Sequence, residues 1–200
     1  MQTPDLTQLK KETRTRIRRA MRALDPGEKS RIDEAICRQA AAQPQFLAAG
    51  RIFCFLGIDW EINTDALIDA ALAAGKEVYL PLVTGPGIME ARRIYDRSEL
   101  VPGAYDIPEP PQNSPAADPS EIELAIVPCV SCDRSCMRLG QGGGFYDRFL
   151  EHASFYTIAL CREDALLDEV PAEPWDSPVD CVITENHIFY KEENEHGIQI

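Results

Sequence analysis

The residues with the clearest chemical potential lie in one stretch, Arg138 to Leu150, which reads RLGQGGGFYDRFL. Four glycines fall within five positions of it: Gly140, Gly142, Gly143 and Gly144. Such a loop can present successive backbone N–H groups to an anion. Phe145 and Phe149 follow at helical spacing, so a helix N-terminus favourable to phosphate should come next, with the Asp147 carboxylate in its first turn. The stretch indicates a nucleotide-binding loop, and a purely structural turn is the alternative.

This loop has no lysine and does not match the Walker A pattern, so cations for a phosphate must come from elsewhere. Residues 10–22 carry seven basic side chains and one acidic side chain. Lys10, Arg14 and Arg18 recur every four positions, which places them on one face of a helix. That face is either an anion-binding surface or a solvated charged face.

Two other carboxylates are candidate ligand groups. Asp176 could join Asp147 in a magnesium site, because Mg²⁺ usually takes only one or two protein carboxylates. The alternatives are a dipole-favoured acid for Asp147 and a turn residue for Asp176. Glu61 follows the first predicted strand, where it could accept two hydrogen bonds from an amino-substituted heterocycle or be a solvated loop acid.

Cys129, Cys132 and Cys136 form a C-x-x-C-x-x-x-C run that could ligate iron–sulfur or zinc. The spacing is unusual for either, and small buried packing residues are the favoured interpretation. All seven cysteines are expected to be reduced thiols in the cytoplasm, since no signal peptide is evident. A net charge of −13 argues against nucleic acid or an anionic membrane as partner.

The elements that would position these residues begin with a helix starting at Thr3-Pro4-Asp5. Its apolar stripe is Leu6, Leu9, Thr13, Ile17, Ala20 and Leu24. A second helix is predicted over 28–48, interrupted near Pro44. Strands at 51–56 and 77–83 flank a helix over 64–74, which predicts a βαβ unit with parallel pairing.

Further strands are predicted at 88–94, 124–127, 155–160 and 179–184. The intervening 102–120 segment holds six prolines and is predicted to be an extended, ordered loop. We therefore expect an α/β fold: one three-layer α/β/α domain over 1–200, with a mostly parallel central sheet, an N-terminal helical segment and a frayed tail at 191–200. The ligand is expected at the carboxyl ends of the strands.

Together these features resemble the 5-formyltetrahydrofolate cyclo-ligase family, also called methenyltetrahydrofolate synthetases. RLGQGGGFYDRFL, preceded by VPCVSCDRSCM, is the most specific part of the resemblance. Supporting blocks, in the family's order, are Lys10 with Arg14, Glu61-Ile62-x-Thr64, Ile107-Pro108-Glu109-Pro110 and Asp176-x-x-x-Asp180 before VITE. The resemblance spans nearly the whole chain.

The resemblance implies an ATP- and Mg²⁺-dependent conversion of 5-formyltetrahydrofolate to 5,10-methenyltetrahydrofolate, with release of ADP and phosphate through phosphorylation of the formyl oxygen. ATP contacts are implied for Lys10, Arg14, Arg138, Leu139, Gly140, Gln141, Gly142, Gly143, Gly144, Phe145 and Tyr146. Folate contacts are implied for Leu56, Glu61, Gln141, Gly142, Gly143, Gly144 and Phe145. Arg138 and Asp147 are the implied catalytic residues, and Asp147 and Asp176 the implied magnesium ligands. The implied partners are thus ATP and a reduced folate; a monomer is expected, with a homodimer left open.

The sequence departs from the family pattern at several of these positions. Cys129 and Cys136 replace small residues, usually glycine, and Cys132 replaces an aromatic. Phe145 stands where tyrosine is usual, and Trp175 where histidine is frequent. Gln141 also occupies a position that is often basic or aromatic. None of these changes removes a residue the reaction requires, but they leave open an ATP-binding homologue with another substrate or a cysteine-based metal or redox module.

Overall fold

The helices of this chain fall where capping and periodicity predict them, within a few residues. A computed structural model describes residues 5–151, 154–173 and 176–192. Its helices are α1 (Leu6–Arg22), α2 (Pro26–Ala41), α3 (Pro44–Ala48), α4 (Asp65–Ala73) and α5 (Phe145–Leu150). The predicted break near Pro44 is confirmed, since proline starts α3 rather than continuing α2.

The strands form one eight-stranded sheet and two small ribbons. They are β1 (Arg51–Phe53), β2 (Glu77–Gly85), β3 (Ile88–Ile94), β4 (Val101–Pro102), β5 (Pro108–Glu109), β6 (Ala116–Ala117), β7 (Leu124–Val127), β8 (Ser131–Cys132), β9 (Arg138–Leu139), β10 (Tyr156–Leu160), β11 (Cys181–Ile183) and β12 (Ile188–Tyr190). The sheet order is β12-β11-β10-β7-β1-β2-β3-β6, while β4 pairs with β5 and β8 pairs with β9.

The centre of the sheet is parallel and its margins are antiparallel. Strands β11, β10, β7, β1 and β2 pair in parallel, with Ile52 opposite both Val78 and Leu124. The outer strands β12, β3 and β6 add in antiparallel fashion. The predicted βαβ unit, β1-α4-β2, is confirmed.

Two buried clusters lie on opposite faces of the sheet, which confirms the three-layer α/β/α architecture. On one face α1 and α5 contribute Ile17, Met21 and Phe149. On the other face α2, α3 and α4 contribute residues such as Ile36, Phe46 and Leu67. The side chains of successive strand residues alternate between the two clusters, so burying both faces requires helices on each side.

The first helix differs in detail from the sequence prediction. Asp5 caps it by accepting a hydrogen bond from the Thr7 amide at 3.1 Å, whereas Thr3 and Pro4 lie outside the described residues. Its buried residues are Thr13, Ile17 and Met21; Leu9 and Ala20 of the predicted stripe are exposed. Helix α1 therefore packs against the rest of the fold through the middle and second half of its length.

The proline-rich segment is ordered, as predicted, but it is more than a loop. It supplies the short strands β4, β5 and β6, and β6 pairs with β3 to extend the main sheet. Strand β12 also follows the last predicted strand without a sequence signal. Within the described part of the chain, no helix is both long and apolar enough to cross a bilayer.

Candidate active site

The glycine loop is held between a small hairpin and a short helix. The β8–β9 ribbon projects beyond β7, and the loop joins β9 to the first residue of α5. Gly142 has φ of 95° and Gly144, which caps α5, has φ of 69°; both values favour glycine because a Cβ would be strained there. A side chain at position 142 would also meet the Arg14 guanidinium, at 3.2 Å.

The basic face of α1 packs against this loop. The Arg14 Nε donates to the Gly140 carbonyl at 2.7 Å, and an Arg18 guanidinium N–H donates to the Gln141 carbonyl at 3.3 Å. Burial and the neighbouring Arg18 lower the pKa of Arg14, so a nearby anion would relieve an existing electrostatic cost. The interpretation of Lys10, Arg14 and Arg18 as a solvated face is wrong.

Two ion pairs link cations to the candidate metal ligands. Lys10 Nζ lies 2.6 Å from Asp176 Oδ2, with the lysine side chain only 14% exposed. Arg138 lies 2.5 Å from Asp147 Oδ1, and its side chain is 6% exposed against 66% for the aspartate. Burial alone would raise the pKa of Asp176, but hydrogen bonds from Lys10 and the Glu173 amide hold it below its usual value.

These pairs border a polar cavity of about 770 Å³, which we call the large cleft. Its lining includes Arg138, Gly144, Asp147, Arg148, Thr157, Asp176, Ser177 and Asp180. Thr157 and Asp180 lie at the amino ends of β10 and β11, so this cleft lies away from the carboxyl ends of strands, where the ligand is expected.

The donors of the large cleft suit a magnesium ion. Among the described residues, hydrogen bonds engage Asp147 through Oδ1 and Asp176 through Oδ2, so each carboxylate keeps one oxygen available to a hard cation. Both carboxylates line the same cavity. Two carboxylates with space for water and phosphate oxygens are a typical magnesium environment.

Glu61 is buried rather than solvated, which contradicts its interpretation as a loop acid. Its side chain is 6% exposed and accepts hydrogen bonds from the Ile58 amide at 3.3 Å and from the Gln141 side-chain amide. Burial raises the pKa of Glu61 to about 7, against the opposing effects of those hydrogen bonds. A carboxyl group that titrates near neutrality is a frequent feature of functional sites.

The loop that carries Glu61 is fixed by a buried ion pair. Arg162, just after β10, binds both carboxylate oxygens of Asp33 at 2.8 and 2.9 Å. The same guanidinium donates to the carbonyls of Trp60 and Glu61 at 2.7 Å each. Asp33 also accepts from the Asn63 amide at 3.0 Å, so helix, strand end and loop are tied together.

Glu61 borders a second cavity of about 330 Å³, the small cleft, at the carboxyl ends of β1, β2 and β7. Predicted residues that line it are Leu56, Glu61, Arg138, Gly140, Gln141, Gly142, Gly143, Gly144, Phe145, Tyr146 and Asp147. Leu139 lines neither cleft, because it is 2% exposed in the core, and its ATP contact stays a prediction. This cleft lies at the carboxyl ends of strands, where the ligand is expected.

Sequence reasoning missed several residues of these two sites. The proline-rich segment closes the small cleft with Tyr105, Ile107, Pro108 and Glu109. Tyr105 meets the Phe145 ring edge-on at 6.0 Å between centroids. The Arg148 guanidinium donates to the carbonyls of Gly87 and Gly143 at 2.7 and 2.9 Å and so fixes the loop. The signal that could have identified Tyr105 was the presence of an aromatic residue within the proline-rich segment.

The two clefts meet at Arg138, Gly144 and Asp147, which line both. A ligand in each would therefore approach the other at this junction.

Trp175, named above as a family departure, lies outside the described residues. Cys136 does not join Cys129 and Cys132; its φ of 66° fits a position where glycine is usual.

The chain matches known proteins over most of its length. The model of the 5-formyltetrahydrofolate cyclo-ligase family matches residues 6–185. A 5-formyltetrahydrofolate cyclo-ligase of Escherichia coli is 31% identical over 179 residues, covering 86% of this chain and 98% of that protein. One from Mycolicibacterium smegmatis is 38% identical over 144 residues, covering 68% and 74%. The solution structure of Aquifex aeolicus 5,10-methenyltetrahydrofolate synthetase superimposes with a TM-score of 0.83 at 26% identity, covering 94% and 98%.

Proposed function

This chain belongs to the 5-formyltetrahydrofolate cyclo-ligase family, and we propose that its two clefts hold the two substrates of that reaction, the reduced folate and ATP. The enzyme is a 5-formyltetrahydrofolate cyclo-ligase that forms 5,10-methenyltetrahydrofolate. The observation that carries the proposal is the shared junction at Arg138, Gly144 and Asp147.

The small cleft takes the folate. Its walls are largely apolar, and the edge-on pair of Tyr105 and Phe145 offers aromatic surface to a ring system. Glu61 accepts hydrogen bonds from the pterin amino group and ring N–H, displacing its present partner Gln141 or sharing with it. A carboxylate that accepts hydrogen bonds from two donors at a fixed spacing discriminates an amino-substituted pterin ring from a ring that lacks these donors.

The large cleft takes ATP. The Arg138 and Arg148 guanidinium groups and Gly144 of the glycine loop line this cleft and supply donors to the phosphates. Lys10 and Arg14 line neither cleft, but they add charge from α1 through their contacts with Asp176 and with the Gly140 carbonyl. Asp147 and Asp176 hold Mg²⁺, whose chemistry when bound is to neutralise charge on the phosphate oxygens. The other oxygen of each carboxylate keeps its cation, Arg138 or Lys10.

The reaction needs positioning and charge stabilisation rather than a protein nucleophile. The formyl oxygen attacks the γ-phosphorus, the bond to the β–γ bridging oxygen breaks, and ADP leaves. Nitrogen N10 of the folate then attacks the activated formyl carbon and loses its proton to solvent, and expulsion of phosphate leaves the methenyl bridge. Arg138, at the junction of both clefts, stabilises the charge that develops on the transferred phosphoryl group.

The decisive experiment is turnover with purified protein, Mg²⁺, ATP and 5-formyltetrahydrofolate, followed by methenyltetrahydrofolate absorbance and by ADP release. Product and ADP should appear in equal amounts and only when both substrates are present. ATP binding without product would instead favour an ATP-binding homologue with a different substrate.

We further propose that the enzyme acts in the cytoplasm as a monomer built from one domain. All seven cysteines are free thiols, which suits a reducing compartment. One continuous sheet with a core on each face supports a single domain. Sedimentation at several protein concentrations tests the oligomeric state, and a concentration-dependent dimer would contradict the proposal.

A further inference from the structure

Three cysteines from separate parts of the chain meet beneath the junction of the clefts. The Sγ atoms of Cys129, Cys132 and Cys161 all lie within 4.8 Å of one another. Their side chains are 9%, 0% and 2% exposed, so the trio is almost dry. Cys129 follows β7, Cys132 ends β8 and Cys161 follows β10, so three backbone segments converge on one point.

We propose that Cys129, Cys132 and Cys161 form a three-coordinate site for a soft monovalent cation of the copper(I) class. Thiolates select Cu(I), zinc and iron–sulfur centres over hard cations. Three sulfurs around one ion, with bonds of about 2.3 Å, would stand about 4 Å apart, so the trio needs only a small contraction.

The number of donors favours copper(I) over zinc. Among the described residues, the histidine, cysteine and carboxylate donors that meet within this distance are these three sulfurs alone. Zinc sites are almost always four-coordinate, whereas a d¹⁰ monovalent ion is satisfied by three thiolates. Binding forms three metal–sulfur bonds and releases three thiol protons to solvent, without electron transfer.

A cationic residue of the active site lies beside the trio. Cys132 is the cross-strand partner of Arg138, so that charge lies close to the proposed ion. The site is therefore next to a catalytic residue without containing one.

An occupied site would join the segments that carry two residues of the active site. The cross-strand partner of Cys132 is Arg138, and Cys161 precedes Arg162, which fixes the Glu61 loop. A metal that bridges both would hold these segments in one arrangement. We therefore expect the copper-loaded chain to unfold at a higher temperature than the reduced chain without copper.

Competition against a chromophoric copper(I) chelator tests the proposal on the intact, reduced chain under anaerobic conditions. One Cu(I) per chain should be withdrawn from the chelator, with a new near-ultraviolet sulfur-to-copper absorption. Cys132→Ser and Cys161→Ser should each lower the affinity at least about tenfold, since one of three bonds is lost. No withdrawal by the native chain would overturn the proposal.

Cys54→Ser is the matched control. Cys54 and Cys161 are both 2% exposed, both follow a parallel strand, and the Sγ of each lies 3.4 Å from the next residue's carbonyl oxygen. The control should bind copper(I) like the native chain, and an equal loss in it would contradict the assignment to the trio.

Two measurements on the native chain do not depend on folding of the variants. X-ray absorption at the copper edge should give three sulfur neighbours, and nitrogen or oxygen neighbours would refute the site. Zinc should bind more weakly than copper(I) in parallel titrations, and a preference for zinc would refute the site. A mass lower by two hydrogens, which indicates a disulfide, would also refute it.

Discussion

The two clefts of this enzyme handle charge in opposite ways. In the small cleft, Glu61 is buried and its loop is locked by the Arg162–Asp33 pair, itself 3% and 4% exposed. In the large cleft, Asp147 is 66% exposed and Asp176 28%, and each is paired with a cation that a ligand would also need. The small cleft is organised before its ligand arrives, whereas the cations of the large cleft must serve both a carboxylate and ATP.

Because of this difference, substitutions in the two clefts should affect stability and catalysis differently. Breaking a buried ion pair leaves an uncompensated charge and destabilises the fold, whereas exposed pairs contribute little to it. Substitutions behind the small cleft should therefore change unfolding and folate use together. Substitutions in the large cleft should change ATP use or turnover while the fold remains intact.

The largest effect is expected from Asp147→Asn. It removes a proposed magnesium ligand and the partner of Arg138, so kcat should fall about 100-fold or more. Because Asp147 is mostly exposed, the unfolding midpoint should hardly change. Steady-state kinetics with a urea titration measure both, and a near-normal kcat would remove Asp147 from the metal site.

Arg162→Lys tests the small cleft, whose Glu61 loop is fixed by the Arg162–Asp33 pair. Lysine keeps the charge but loses the fork that binds Asp33, Trp60 and Glu61 at once. The free energy of unfolding should fall by about 2 kcal/mol, and KM for the folate should rise about thirtyfold with KM for ATP unchanged. A merely structural role would lower stability without this selective change in KM.

Lys10→Ala tests the large cleft, and its expected effect is smaller. The loss of one charge-assisted contact should raise KM for ATP about tenfold and leave KM for the folate unchanged. Lys11→Ala is the matched control, because Lys11 is the neighbouring lysine of α1 and is exposed. Equal behaviour of the two variants would mean that Lys10 does not contact ATP.

The sequence predicts one side of this comparison better than the other. The glycine loop and the basic face of α1 can be read from spacing, because both are periodic or compositionally biased. The buried ion pair between Asp33 and Arg162 cannot be read from the sequence, since the two residues lie 129 positions apart and neither interrupts its local pattern. The burial of Glu61 follows from that ion pair and was missed for the same reason.

The fold shows the same division. Long elements such as α1, α4 and β3 were predicted within a few residues, since their periodicity extends over several positions. Strands of two or three residues, such as β6, β8 and β12, depend on a partner strand for their existence. Similarly, Cys161 joins Cys129 and Cys132 only because β10 lies beside β7.

The smallest effect, a pH dependence, tests whether the buried carboxyl group itself binds the folate. Burial places the pKa of Glu61 at about 7, so about half the free enzyme holds a carboxylate at pH 7 and nearly all of it at pH 8. Since kcat/KM reports the free enzyme, its value for the folate should nearly double across that interval.

The effect of pH on stability has the opposite sign. A raised acid pKa favours the folded state at low pH, so Glu61 lowers the free energy of unfolding as pH rises from about 4.5 to 7. Glu61→Gln should lose both dependences, and a variant that keeps the kcat/KM rise would assign it to another group.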